Sequence, residues 1–174
     1  DYINYRLTGV MATDPSYASG SGVYDLKKRR YSPPLIQAAQ LSANLFPEIL
    51  PATQVLGGLT KSASAELGLP RSVKVVAGGV DNSCMSLGAG AYREGRAYNA
   101  LGSSSWIAVS SSAQLLDAVK RPYVFEHVVP GQYVSALAIF SAGTSLSWVR
   151  DQMCRDLLDR ADREGVSAYR LMDE

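Results

Sequence analysis

The sequence predicts an α/β protein, and three stretches of the chain carry that prediction. The first, residues 73–86, contains a short β-branched run, two glycines and a helical pattern that begins near Asp81. The second, residues 96–140, contains extended runs that alternate with turn residues, which is typical of antiparallel strands. The third, residues 144–164, has apolar positions close to a 3.6-residue spacing and predicts one long helix. This mixture of strands and helices indicates an α/β or α+β architecture, with a hinge candidate near residues 78–81.

Composition limits the classes of protein to consider. The chain has 174 residues, of which 47% are hydrophobic, enough for one medium domain or parts of two. Seventeen basic and sixteen acidic residues nearly cancel, which argues against a nucleic-acid-binding face but leaves phosphate ligands open. No apolar run reaches the roughly twenty residues that would span a membrane. Cys84 and Cys154 lack metal-ligand spacing, so we expect reduced thiols in a cytoplasmic protein.

The part of the chain before residue 73 is predicted to hold short helices and loops. Ser32 and Pro33 mark a helix start, while Gly9 and Gly68 mark helix ends. The predicted helices are residues 1–7, 35–45 and 62–67. The predicted loops and turns are residues 13–22, 27–30 and 54–60, the second being a basic run that is typical of a solvated turn. Residues 23–26 are compatible with a short strand or a helical turn.

The part of the chain after Asp81 predicts hairpins and then helices. Residues 73–76 are predicted to form a buried strand before the two glycines, and the helix after Asp81 is predicted to end before Gly95. The predicted strands are residues 96–101, 106–110, 123–129 and 132–140. A Gly-Ser-Ser-Ser turn joins the first pair and Pro-Gly joins the second. The long helix of residues 144–164 is predicted to end at Gly165, and another begins at Ser167.

Asp81 is the first candidate for chemistry. A carboxylate at the carboxyl end of a strand, facing the start of the next helix, lies where open α/β sheets bind ligands. The residue is therefore a candidate catalytic carboxylate of a phosphotransferase. Because Asp is a favoured helix cap, this stretch by itself is more typical of an N-cap role.

Two further segments could bind an anion. The turn of residues 102–105 offers backbone amides and three hydroxyls, and the helix start at residues 141–144 offers two hydroxyls and a helix dipole. Together with an acid, such segments fit phosphoryl transfer, which needs positioning and charge neutralisation. Each is also compatible with a simple structural role, as a hairpin turn and as a helix cap.

Other chemistries have less support. A Ser-His-Asp triad would have to use His127, and no G-x-S-x-G nucleophile motif is present. Neither a Walker A motif nor a dinucleotide G-x-G-x-x-G occurs in a suitable context. A single histidine within a predicted strand is typical of packing or of the surface. A hydrolase built on His127 remains an alternative.

Residues 77–90, A-G-G-V-D-N-S-C-M-S-L-G-A-G, resemble a block of the FGGY carbohydrate kinases. The resemblance extends to residues 101–106, L-G-S-S-S-W, and to residues 141–151, S-A-G-T-S-L-S-W-V-R-D, in the same order. Upstream, residues 2–9 and 13–19 are also similar to the family. Within it, the sequence is most similar to xylulokinases.

The resemblance implies the actin-like ATPase (ribonuclease H-like) fold in part: the end of its first domain and the start of its second. Residues 1–77 would be the C-terminal part of the N-terminal, sugar-binding domain. Residues 78–174 would begin the C-terminal, nucleotide-binding domain. The resemblance is compatible with a homodimer. The nearly neutral net charge and the short apolar runs lead us to expect no nucleic-acid or membrane partner.

The resemblance also implies residue roles. Asp81 would be the general base, Asp81 and Asn82 would bind the substrate, and Gly102, Ser103 and Ser104 would contact the phosphates of ATP. The implied reaction phosphorylates a sugar or polyol with MgATP, namely D-xylulose to xylulose 5-phosphate. Gluconate, ribulose and glycerol are the alternative substrates, and a catalytically inactive binding protein on the same fold is the alternative class.

The resemblance further implies that the family's magnesium-binding acid lies upstream of these residues and its adenosine-binding glycines downstream. The 174 residues alone are therefore expected to be inactive.

Overall fold

The structure is a computed structural model that describes residues 1–174. Eight α-helices alternate with short strands along the chain. They are α1 (Tyr2–Thr8), α2 (Pro15–Ala18), α3 (Pro33–Ala38), α4 (Lys61–Leu67), α5 (Asp81–Gly88), α6 (Gly143–Met153), α7 (Arg155–Glu164) and α8 (Ala168–Met172). Two 3-10 helices add to these, at Ser19–Ser21 and Ala43–Leu45.

Ten strands form one four-stranded sheet and three strand pairs. The strands are β1 (Ala12–Thr13), β2 (Tyr24–Asp25), β3 (Arg30–Tyr31), β4 (Glu48–Ile49), β5 (Val55–Gly58), β6 (Lys74–Val76), β7 (Ala97–Leu101), β8 (Ser105–Ser111), β9 (Tyr123–Glu126) and β10 (Tyr133–Ile139). The larger sheet has the order β7-β8-β10-β9, and the pairs are β1-β4, β2-β3 and β5-β6.

Both predicted hairpins are present. Strands β7 and β8 are neighbours joined by the predicted Gly-Ser-Ser turn. Strands β9 and β10 are antiparallel, with Tyr133 opposite Glu126 and Ala136 opposite Tyr123. The turn residues and the β-branched and aromatic runs between them encode these hairpins locally, so the sequence pattern was sufficient to predict them.

The turn predicted at residues 54–60 is wrong, because these residues contain strand β5. Strand β5 pairs antiparallel with β6, and a register shift lies between Val55 and Gly57. Gly57 has a φ of 152°, which suits the bulge, and a Cβ on Gly58 would lie 2.2 Å from the carbonyl oxygen of Arg71. The two glycines therefore permit a close backbone approach within a strand pair. Strand β6 is also less buried than predicted, since Val76 is exposed.

The loop predicted at residues 13–22 is partly helical. Asp14 caps α2 by accepting hydrogen bonds from the backbone N–H groups of Ser16 and Tyr17. Pro15 occupies the first helical position, where its missing N–H costs nothing. The sequence Asp-Pro-Ser is thus a helix start, hidden within a stretch whose overall composition is typical of a loop.

The helix predicted over residues 35–45 ends early. Helix α3 ends at Ala38, and Gln40 adopts the left-handed conformation with a φ of 57°. The N–H of Leu41 then donates to the carbonyl of Ile36, which closes the helix end in the pattern that glycine usually provides. Because this position holds Gln40 and not glycine, no residue here signals a helix end.

The long helix predicted over residues 144–164 is two helices. Cys154 leaves helical geometry, with φ −121° and ψ 42°, and separates α6 from α7. The change of direction lets α7 contact both α6 and α8. Apolar spacing continues across Cys154, so periodicity alone could not reveal the break.

The chain divides into two compact units, Asp1–Tyr98 with Ala108–Ala136, and Asn99–Ile107 with Leu137–Glu174. The interior of the first unit is unusually polar. Its buried apolar side chains are mainly small, whereas its largest fully buried side chain is Glu126. Hydrogen bonds therefore hold much of this interior together. The structure has no helix long and apolar enough to cross a membrane.

Candidate active site

Asp81 is the first residue of α5, and it follows β6 after the four residues 77–80. Its carboxylate is exposed, and Oδ1 accepts a hydrogen bond from the adjacent N–H of Asn82 at 2.7 Å. The N-cap is Val80, whose side chain makes no capping hydrogen bond. The structure thus does not use Asp81 as the N-cap, and its second carboxylate oxygen is available to a ligand.

Helix α5 buries a polar face. Asn82, Ser83 and Ser86 are buried, while the apolar side chains of Met85 and Leu87 are exposed. The buried groups make hydrogen bonds within the first unit. Ser83 Oγ donates to the carbonyl of Glu126, Ser86 Oγ donates to the carbonyl of Ala91, and the carbonyl of Asn82 accepts from Tyr98. Directional contacts therefore fix the rotation of the helix that carries Asp81.

Asn82 lies inside the first unit rather than on its surface. The residue is 5% exposed, and its buried Oδ1 has no hydrogen-bond partner. An unpaired buried acceptor costs about 1–3 kcal/mol, so such groups are uncommon away from functional sites. Its role in substrate binding stays a prediction.

The path of the chain into α5 depends on Gly79. A Cβ at this position would lie 2.0 Å from Val128 Cγ1 and 3.1 Å from Ser16 Oγ. Gly79 therefore lets the side chains of Val128 and Ser16 come close to the backbone that leads to Asp81. The residues immediately before Asp81 are packed against two other segments of the first unit.

We expect Gly79→Ala to lower the free energy of unfolding by about 1–3 kcal/mol, because Val128 is branched at Cβ and has little freedom to move away. Urea unfolding of the full-length protein measures the change. Adding Val128→Ala should recover part of the loss. Gly88→Ala is the matched control, since a Cβ there meets nothing within 4 Å and should stabilise the helix slightly. Equal effects of Gly79→Ala and Gly88→Ala would contradict the prediction.

A cluster of Glu126, Tyr24 and Arg29 lies beside α5, with the carboxylate of Glu126 buried at its centre. Glu126 Oε1 accepts from the Tyr24 hydroxyl at 2.5 Å, and Oε2 accepts from the Arg29 guanidinium at 2.5 and 2.9 Å. Burial and the neighbouring Glu126 raise the pKa of Tyr24, so its hydroxyl remains a donor. The predicted solvated basic turn is confirmed, since Lys27, Lys28 and Arg29 are exposed, and the guanidinium of Arg29 in addition pairs with the buried Glu126.

His127 lies just after β9 and is buried. Its Nδ1 accepts a hydrogen bond from the N–H of Val129 at 2.9 Å, and burial lowers its pKa. The neutral ring therefore carries its proton on Nε2, which is buried and has no partner. Because neither nitrogen accepts from a serine hydroxyl, the structure contains no triad built on this histidine.

The predicted phosphate turn, Gly102–Ser103–Ser104, is exposed and belongs to the second unit. It is attached to the start of α6. The N–H groups of Ala142 and Thr144 donate to the carbonyl of Ser103, and that of Gly143 donates to the carbonyl of Gly102. A Cβ on Gly143 would lie 2.4 Å from the Gly102 oxygen. These contacts hold the turn against the helix.

The same contacts change the interpretation of residues 141–144 as a separate anion site. The amides at the start of α6 already donate to the carbonyls of the turn, so they are not available to a second anion. The start of α6 supports the turn instead. The sequence feature that indicates this supporting role is the glycine in Ala-Gly-Thr. Only glycine at this position lets the start of α6 come so close to the backbone of the turn.

No group of three or more His, Cys, Asp or Glu side chains in this chain could hold a metal ion. The chain's own side chains therefore do not fit a complete magnesium site.

Comparison with known proteins agrees with these features. Residues 1–88 match the N-terminal domain of the FGGY family of carbohydrate kinases. The autoinducer-2 kinases of Enterobacter sp. (strain 638) and of Klebsiella pneumoniae are 34% and 33% identical over 175 residues, which cover 100% of this chain and 33% of each relative. The chain thus spans about a third of the length of the curated relatives it matches.

Solved structures show the same relationship. The xylulose kinase from Rhodospirillum rubrum matches with a TM-score of 0.84 and 30% identity over 94% of this chain and 33% of that one. The gluconate kinase from Lactobacillus acidophilus matches with a TM-score of 0.82 and 23% identity over 93% of this chain and 34% of that one, and shows the fold alone. The chain therefore belongs to the FGGY family of carbohydrate kinases and has part of its actin-like ATPase fold.

Proposed function

We propose that a full-length protein containing this chain phosphorylates a sugar or polyol hydroxyl at the expense of ATP. The observation that carries the proposal is the placement of Asp81. Its carboxylate is exposed at the start of α5, and only Oδ1 is engaged, by the adjacent amide. The family relationship supplies the reaction class.

Asp81 acts on the acceptor hydroxyl. Its free Oδ2 accepts the hydroxyl proton as the hydroxyl oxygen forms its bond to the γ-phosphorus and the bond from that phosphorus to the leaving oxygen of ADP breaks. A weak base suffices, because a loose phosphoryl-transfer transition state depends mainly on orientation. The polar contacts of α5 and the packing at Gly79 supply that orientation.

Gly102, Ser103 and Ser104 are the candidates for holding the phosphates of ATP, which supplies the phosphoryl group when bound. Their exposure and the hydroxyls of the two serines fit an anion. The close contact between the backbone of Gly143 and that of the turn leaves no room for a side chain. This contact also fits a turn that is held in one position. Mg²⁺ is typical of such kinases, but no complete ligand set lies among these residues. The 174 residues alone are therefore expected not to turn over.

Gly143→Ala is expected to raise KM for ATP about tenfold or more while leaving KM for the sugar nearly unchanged. The added Cβ would lie 2.4 Å from a backbone oxygen, so the turn and α6 must separate. Steady-state kinetics of the full-length protein, varying each substrate in turn, measures the effect.

Ser145→Ala is the matched control for Gly143→Ala, because the Ser145 hydroxyl bonds only to Ser141. It should leave both KM values unchanged. A Gly143→Ala enzyme with an unchanged KM for ATP would contradict the proposed role of the turn.

D-xylulose is the first candidate substrate and autoinducer-2 is the second. The first is supported by the xylulose kinase from Rhodospirillum rubrum, at 30% identity over 94% of the chain. The second is supported by the autoinducer-2 kinase of Enterobacter sp. (strain 638), at 34% identity over the whole chain. Gluconate, ribulose and glycerol are further candidates. A cytoplasmic location and a homodimer stay predictions.

A coupled ADP-release assay of the full-length protein across these five compounds tests the proposal. The proposal requires substrate-dependent ADP release with at least one of them. A rate with D-xylulose no higher than background would remove the xylulokinase assignment. Background rates with all five would contradict sugar-kinase activity and favour a binding protein on the same fold.

A further inference from the structure

We propose that Ser16 is a positioning residue for Asp81. The inference rests on the proposed function, since it concerns how the general base is held. It follows from two hydrogen bonds that join the start of α2 to the residue before Asp81 within the first unit.

Ser16 is buried completely, at 0% exposure. Its Oγ donates to Asp14 Oδ2 at 2.5 Å and accepts from the N–H of Val80 at 2.9 Å. A hydroxyl has one proton, so donation to the carboxylate leaves only lone pairs for Val80. The direction of both bonds is therefore fixed by the charge on Asp14.

Asp14 is itself held firmly. It is buried, and its carboxylate also accepts from the backbone N–H groups of Ser16 and Tyr17. A carboxylate with several donors in a buried setting makes strong, short hydrogen bonds. Helix α2 and its cap thus form a rigid base for the Ser16 hydroxyl.

The bond to Val80 acts at the entry to α5. Val80 is the N-cap, with φ −65° and ψ 149°, and its apolar side chain makes no capping hydrogen bond. The helix entry therefore lacks the local contact that usually fixes it. Ser16 supplies a distant one, 64 residues away in the sequence. Gly79 leaves room for the Ser16 hydroxyl, since a Cβ at this position would lie 3.1 Å from Ser16 Oγ.

The expected consequence is a loss of turnover rather than of substrate binding. A displacement of about 1 Å in a catalytic group lowers a rate by about 100-fold, even when it originates outside the chemical site. In Ser16→Ala the N–H of Val80 loses its acceptor, and the entry to α5 is free to shift. We expect kcat to fall about 10- to 100-fold, with KM for the sugar within about threefold of wild type.

Ser111→Ala is the matched control. Ser111 is also a buried serine of the first unit, but its hydroxyl donates to the carbonyl of Ala113 and not to a residue of α5 or of its entry. If Ser16 had only a structural role, both variants would lose stability alike and both would keep kcat. A positioning role predicts that only Ser16→Ala loses kcat, measured at a temperature where circular dichroism shows both full-length proteins folded.

Asp14→Asn keeps the size of the side chain and provides a second variant should Ser16→Ala fail to fold. The neutral amide holds the Ser16 proton less firmly, so a smaller fall in kcat is expected, with KM unchanged. Wild-type kcat in either folded variant would overturn the proposal.

The outcome is distinguishable from failure of the proposed function. An inactive wild-type protein refutes the kinase assignment itself. An active wild type that Asp81→Asn inactivates, combined with full activity of Ser16→Ala, refutes only the role of Ser16.

Discussion

Asp81→Asn in the full-length protein is expected to lower kcat by about 100- to 10,000-fold, the range that general-base catalysis contributes. The amide keeps the size of the carboxylate and its contact with the N–H of Asn82. It cannot accept the proton of the sugar hydroxyl. Binding of the sugar should persist, because the shape of the site is unchanged.

ADP release gives kcat for this variant, and isothermal titration gives its affinity for the sugar. Asp156→Asn is the matched control, because Asp156 is also an exposed acid in the first turn of a helix, α7. It should keep wild-type kcat. If Asp81→Asn behaved like this control, Asp81 would not be the general base. A binding protein on this fold would likewise be indifferent to the change.

Arg29→Ala is expected to destabilise the full-length protein by about 2–4 kcal/mol. Removing one partner of a fully buried ion pair costs about 3–5 kcal/mol, and this pair is only partly buried. The carboxylate of Glu126, which is 0% exposed in the native protein, then keeps only Tyr24 as a side-chain partner. The side chain of Arg29 is 46% exposed, so part of the pair is already screened by solvent. Urea unfolding measures the loss.

Substitutions of Arg29 and of Glu126 should lower the free energy of unfolding by different amounts. Glu126→Gln leaves Arg29 unpaired but able to reach water, so its expected cost is smaller, about 1–2 kcal/mol. Arg30→Ala is the matched control, since Arg30 is the exposed neighbour of Arg29. It should change stability by about 0.5 kcal/mol or less. A loss from Arg29→Ala no larger than from Arg30→Ala would show that the cluster does not stabilise the fold.

Local signals predicted the elements that the chain encodes over a few residues. The hairpin turn at Gly102 and the strand-to-helix change before Asp81 both follow from turn residues, β-branched runs and helix starts. Local signals predicted the wrong helix ends at two residues that leave helical geometry without being glycine or proline. Gln40 ends a helix in place of glycine, and Cys154 interrupts one without interrupting its apolar spacing.

The sequence by itself determined the position of Asp81 in the chain, the hairpins and the resemblance that indicates the family, because each of these resides in short runs of residues. Only the tertiary structure decided what holds the site. Ser16 bonds to Val80 across 64 residues, and Arg29 pairs with Glu126 across 97. Gly143 accommodates a backbone oxygen from a turn some forty residues earlier. These contacts form because the folded backbone brings polar groups that are distant in the sequence together in buried surroundings, where they must be hydrogen-bonded. No local sequence pattern encodes such contacts.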